Sequence, residues 1–123
     1  MKKSVMKKWV VALRSGEYKQ GDGRLVDNTD CFCCLGVLCN IAPDTLGIWE
    51  QDTLGHWGFR SKNGYSEQFL LPLPVMEWAE IKDNAGFVGN TEHSREFCLT
   101  DLNDDGKTFK QIADIIEKHW DKL

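Results

Sequence analysis

No stretch of this sequence stays apolar for anything near the roughly 20 residues that a membrane-crossing helix needs. The longest apolar segment, Cys31 to Ala42, is interrupted by Gly36 and Asn40, so no membrane partner is expected. The basic start at Lys2, Lys3, Lys7 and Lys8 is followed only by the short apolar stretch Trp9 to Leu13, without a small-residue cleavage site, and a secretory signal is not expected either. Internal repeats, low-complexity tracts and linkers are missing, which leaves one domain over residues 1–123. Also missing are H-E-x-x-H, G-x-S-x-G, the P-loop and a G-x-G-x-x-G after a strand; Gly21-Asp22-Gly23 is a lone G-x-G. The sequence therefore names no familiar enzyme chemistry.

Five cysteines (31, 33, 34, 39 and 98) leave one unpaired in any disulfide scheme, and four of them crowd between positions 31 and 39. That suits buried, reduced thiols better than a secreted cross-linked framework. The expected compartment is the cytoplasm.

What is present is the material of a core. At 123 residues, with a hydrophobic share of 41%, five Trp and six Phe, the chain is too apolar for disorder and long enough to fold without staples. The net charge of -4 is unevenly spread: residues 1–24 carry seven basic against two acidic side chains, and the remainder eight against seventeen. A pI near 5.3 disfavours nucleic acid as a partner, while the basic end could attract a smaller anion.

The spacing of Val5, Trp9, Ala12 and Leu13 predicts an amphipathic helix over about 5–15, capped by Ser4 and stopped by Gly16. A glycine-rich turn and a short strand at Arg24-Leu25-Val26 follow. Cys34, Leu35, Val37, Leu38, Ile41 and Ala42 predict a central helix ended by Pro43. The scattered aromatics from Ile48 to Phe69, with the Asn63-Gly64 hairpin signal, predict a small antiparallel sheet. Pro74 opens a helix that turns Val75, Trp78 and Ala79 inward and is broken by Asp83 to Gly86. Phe87-Val88 and Phe97-Cys98-Leu99 are candidate strands pairing with that hairpin. Thr108 and Gln111 form a capping box for a last helix burying Phe109, Ile112, Ala113, Ile116 and Trp120. The fold class is α+β: a single compact domain of three to four short helices packed on a small antiparallel sheet.

Two clusters imitate metal sites. Cys31 and Cys34 make a C-x-x-C, but the remaining zinc candidates, His93 and Cys98, lack the spacing of a second knuckle. Asp101 to Gly106 matches the first half of a calcium loop, yet its twelfth position is Ile112, and a corner between two helices, the first capped by Thr100, explains the pattern. No metal or cofactor is expected. His56, His93 and His119 are scattered, and Glu77 with Glu80 reads as a solvated helix face.

A binding surface remains. Arg14, Tyr18, Lys19, Gln20 and Arg24 surround the glycine-rich turn, offering cations for phosphate, a ring for stacking and an amide for a base edge. Trp57 and Asn103 complete the candidate ligand-binding set. The competing reading is a basic first helix beside a core full of aromatics.

The stretches Trp9 to Gly21, Cys33 to Ala42 and Leu99 to Ala113, with Leu71-Pro72 followed by Val75 and Trp78, resemble a family of small proteins encoded by tailed phages and prophages. That family has no established activity to transfer. The resemblance implies phage origin, a bacterial host cytoplasm, and a part in host takeover or evasion of host defence. The expectation is an accessory protein, more a binder than an enzyme, that sequesters a small anionic, nucleotide-type ligand such as an immune signal. The alternatives are an inhibitor of a host protein through an exposed aromatic patch and a small Cys- or His-dependent enzyme; self-association is open.

Overall fold

A computed structural model of the chain describes residues 1–90 and 96–123. The first helix, α1 (Lys3–Arg14), buries Val5, Met6, Trp9, Val10 and Leu13 along one stripe. It begins earlier than Ser4 could cap, because the Lys2 carbonyl already accepts a hydrogen bond from the Met6 amide at 3.0 Å. Gly16, at φ 75°, ends it in the left-handed conformation that glycine adopts without strain.

Helix α2 (Cys34–Ile41) is apolar all round, and every residue from Cys34 to Cys39 is buried. The Cys33 sulfur accepts from the Gly36 amide at its start, and the chain leaves it extended at Ala42, as the following Pro43 requires. Gly36 is there because the Leu25 carbonyl presses against the helix where any Cβ would sit. Trp9 joins α1 to α2 by donating its indole N–H to the Cys34 carbonyl at 2.9 Å, inside the core.

Strands β1 (Gly47–Gln51), β2 (Trp57–Ser61) and β3 (Ser66–Glu67) form an antiparallel sheet in that order. Asn63-Gly64 makes the β2–β3 turn, with Gly64 at φ 90° and the Asn63 side chain accepting from the Tyr65 amide. Helix α3 (Leu73–Ala79) carries Pro74 in its first turn and buries Val75 and Ala79, with Trp78 half-buried. It stops before Asp83, because Glu80 takes the left-handed C-cap conformation at φ 55°.

Strands β4 (Phe87–Asn90) and β5 (Glu96–Cys98) pair with each other in a second sheet and not with the β2–β3 hairpin. Their register follows from local stitching: the Leu99 amide donates to Gly86 O and the Thr100 amide to Ala85 O. Leu99 therefore opens α4 (Leu99–Asp104), which Cys98 and not Thr100 flanks as N-cap. Gly106 turns the corner, and α5 (Phe109–His119) starts on the full Thr108–Gln111 capping box. Its buried stripe of Phe109, Ile112, Ala113 and Ile116 packs along α1, and a 3₁₀ turn at Trp120–Lys122 leaves Trp120 half-buried. The architecture is α+β, with five α-helices and two antiparallel sheets among the described residues where the sequence predicts three to four helices on one sheet.

Candidate ligand recess

The residues expected to gather around the glycine turn do not form a cationic hollow. Arg14 is drawn to α5, where its guanidinium bonds Asp114 at 2.6 Å and Glu117 at 3.1 Å. Arg24 donates to Gln68 at 3.0 Å and stacks 4.8 Å from the Phe69 ring centroid. Lys19 is exposed, and its part in the turn is its carbonyl, which accepts from the Phe32 amide at 2.8 Å. The hollow beside the turn, about 440 Å³, is lined by Asp22, Asp27 and Asp104, the opposite charge to the one expected.

Gln20 and Asn103 do meet, as internal struts. Asn103 is buried; its Oδ1 accepts from the Cys34 amide and from Gln20 Nε2, each at 3.1 Å, and its Nδ2 donates to Gly21 O at 2.8 Å. Gln20 also donates to Lys107 O at 2.7 Å and accepts from the Phe109 amide at 3.0 Å. Every polar atom of both amides is thus engaged in joining the turn to α2, α4 and α5. The zinc candidate His93 lies outside the described residues.

The two remaining candidates lead to a different place. Gln51 faces Trp57 and Trp49 faces Phe59 in the β1–β2 register, so alternation puts Trp49, Trp57 and Phe59 on one face of the sheet. The other face carries Ile48 and the Glu50–Arg60 ion pair at 3.2 Å. Against the aromatic face lies the turn over residues 26–32, whose ends Val26 and Phe32 form an antiparallel bridge. Val26, Asp30, Phe32, Trp49 and Trp57 enclose a recess of about 190 Å³.

Its walls are held in place. Trp49 donates its indole N–H to Asn40 Oδ1 at 3.1 Å, and Asn40 Nδ2 donates to the Tyr18 hydroxyl at 2.8 Å. Tyr18, Phe32, Trp49 and Phe59 then make a chain of edge-to-face contacts, with successive ring centroids at 5.0, 6.1 and 5.3 Å. Tyr18 is therefore a buttress behind the recess. Two Asp-centred turns brace the rim. Asp27 Oδ1 accepts from the Thr29 amide, the Thr29 hydroxyl and the Cys31 amide; desolvation raises its pKa, but these bonds outweigh it and hold it below the usual carboxylate value. Asp52 takes the His56 and Leu54 amides and the Gln68 side chain, and it too is held low, first by the His56 amide.

The thiols are a separate matter. None of the five cysteines is in a disulfide, and Cys33, Cys34 and Cys39 are buried. Burial pushes the Cys33 thiol up to about 11, and those of Cys34 and Cys39 well above their ordinary value. A thiol so raised stays protonated near neutral pH and is a poor nucleophile.

Sequence reasoning missed Asp30, Phe32 and Trp49. The aromatic alternation was readable, but the pairing of Trp49 with Trp57 needed the β1–β2 register, and Phe32 was hidden inside the cysteine cluster.

By fold and geometry this is a small α+β domain with a braced aromatic hollow between a sheet and a tight turn. The chain belongs to the family described as a domain of unknown function (DUF8296), whose model matches residues 1–120. No curated protein and no solved structure matches it.

Proposed function

We propose that this domain is a non-catalytic binding protein that holds the head group of a small ligand between Phe32, Trp49 and Trp57. The observation that carries the reading is the bracing of Trp49, hydrogen-bonded through Asn40 and wedged between two other rings, in the wall of an open, apolar hollow. A wall fixed before binding loses little conformational freedom when a ligand arrives. The raised thiols of Cys33, Cys34 and Cys39 weigh against those three as nucleophiles. In the setting implied by the phage resemblance, the protein is an accessory factor that sequesters its ligand in a bacterial host cytoplasm. The phosphate-binding half of the sequence expectation finds no support in the dispersed Arg14, Lys19 and Arg24. The host-inhibitor alternative expects an exposed aromatic patch; the five tryptophans are each buried or half-buried, while Tyr65 and Phe69 are exposed.

The test is a thermal-shift and tryptophan-fluorescence screen against cyclic and ADP-ribose-type nucleotides, nucleosides, and small aromatic and ammonium compounds. A tight ligand in excess raises Tm by several degrees, is recovered chemically intact, and loses its effect in Trp57→Ala. A folded protein that responds to none of these classes refutes the reading.

A further inference from the structure

We infer that the chain forms a two-fold dimer by pairing its β1 strands edge to edge, antiparallel about Ile48; this goes beyond the binding reading and does not depend on it. The β1–β2 ladder runs between the Lys62 amide, which donates to Leu46 O at 3.3 Å, and the Asp52 amide, which donates to His56 O at 2.9 Å. Antiparallel ladders bond at every second residue. Between those ends Ile48 and Glu50 therefore turn their peptide groups toward β2, and Gly47, Trp49 and Gln51 turn theirs outward. β1 is an edge of its sheet, and none of those outward N–H and C=O groups has a partner among the described residues. Edges that stay single are ordinarily blunted by lysine, proline or a bulge, and Gly47–Gln51 carries none of these. Its one charge, Glu50, is taken up by Arg60 at 3.2 Å.

The side chains select a second copy as the strand that fits. Ile48 is 59% exposed, and a hollow of about 270 Å³ bordered by Gly47, Ile48, Arg60 and Lys62 opens beside it. An apolar knob and a hollow on one edge are self-complementary under a two-fold axis, because each copy presents the part that the other lacks.

The axis can pass through Ile48, Trp49 or Glu50. Through Glu50 it sets like charges opposite each other, and through Trp49 it sets each Ile48 against a carboxylate. Through Ile48 it pairs Gly47 with the copy's Trp49, and each such pair exchanges both of its N–H···O bonds. The two Ile48 side chains then meet at the close, non-hydrogen-bonded position, with Cα atoms about 4.5 Å apart. On the inner face the Trp49 ring, already fixed by Asn40, meets only a glycine. On the outer face Glu50 falls opposite the copy's Leu46, one strand away from its Lys62, a cation with no ion-pair partner among the described residues.

A five-residue edge makes a small interface, so the dimer is a weak one, with Kd in roughly the micromolar range. Sedimentation equilibrium of the full chain over about 5–500 µM should show the mean mass rising from one chain toward two. Ile48→Lys and Ile48→Glu should each weaken association at least about tenfold, and an equimolar mixture of the two should restore it. Because Ile48 is exposed, both variants should keep Tm within about 3 °C of the parent. Hydrogen exchange on the unaltered chain reads the same pairing without a substitution. The Gly47 and Trp49 amides should slow by about tenfold or more between dilute and concentrated samples, while that of Gln51, opposite the turn before the copy's β1, stays unchanged. A one-chain mass across the range, Ile48→Lys associating like the parent, or a mixture no better than either variant overturns the inference. So do Gly47 and Trp49 amides that ignore concentration, and protection that spreads to Gln51 overturns the axis through Ile48. The ligand screen at the recess is decided separately from all of these outcomes.

Discussion

Two positions show how much one atom decides in this core. At Gly36 the Leu25 carbonyl fills the space a methyl would need, and both sides of the clash are backbone within a buried layer. Gly36→Ala is expected to destabilise by about 1–3 kcal/mol, read as a lower urea midpoint, because neither α2 nor the 25–26 segment can retreat without opening the core. The cysteines make a complementary case. Cys33, Cys34 and Cys39 should resist a thiol reagent at mildly alkaline pH in the native protein and react on denaturation, whereas half-exposed Cys31 should react while the fold is intact. Fast native labelling of all five would contradict the buried, protonated thiols. That these cysteines behave as small hydrophobes was legible from their helical spacing alone. That Asn103 is a buried strut and not a ligand group was not, because its partners lie 69 to 83 residues away in the chain.

At the scale of elements, the terminal helices carry their own signals. Thr108→Ala removes the side chain that accepts from the Gln111 amide and is expected to cost about 1 kcal/mol, lowering Tm by a few degrees. The Asp-centred turns make a pH statement. Asp27 and Asp52 have folded pKa values below the ordinary 3.8, so their contribution to stability is present above that value and is lost as pH falls through the lower folded values. The acid titration of the Thr29, Cys31, Leu54 and His56 amide resonances should therefore have its midpoint below 3.8; a midpoint above 3.8 would contradict the turn geometry. Elements whose signals are local, such as α1, α2, α5 and the Asn63-Gly64 turn, were readable in order and nearly in extent. The pairing of β4 with β5 and the early stop of α3 were not, since both depend on what the neighbouring chain offers.

For the whole molecule, α1 and α5 are the supporting frame, and Arg14 tethers them from outside. Its ion pairs are exposed, so Arg14→Ala should lower stability by less than about 1 kcal/mol and leave ligand binding at the recess unchanged. A large loss of binding in that variant would return the site to the basic end of the chain. The recess itself belongs to this scale, because it exists only where the 26–32 turn is laid against the face of the β1–β2 sheet.

By itself the amino-acid order determined what repeats at short range: the apolar stripes of the helices, the glycine stops, the capping box, the hairpin turn and the α+β class. Those depend on periodicity and on backbone chemistry within a few residues. Only the tertiary structure decided the site, because charge is a property of neighbours. It carried Arg14 and Arg24 to separate partners, surrounded the glycine turn with carboxylates, and set Asp30 beside three rings from distant segments.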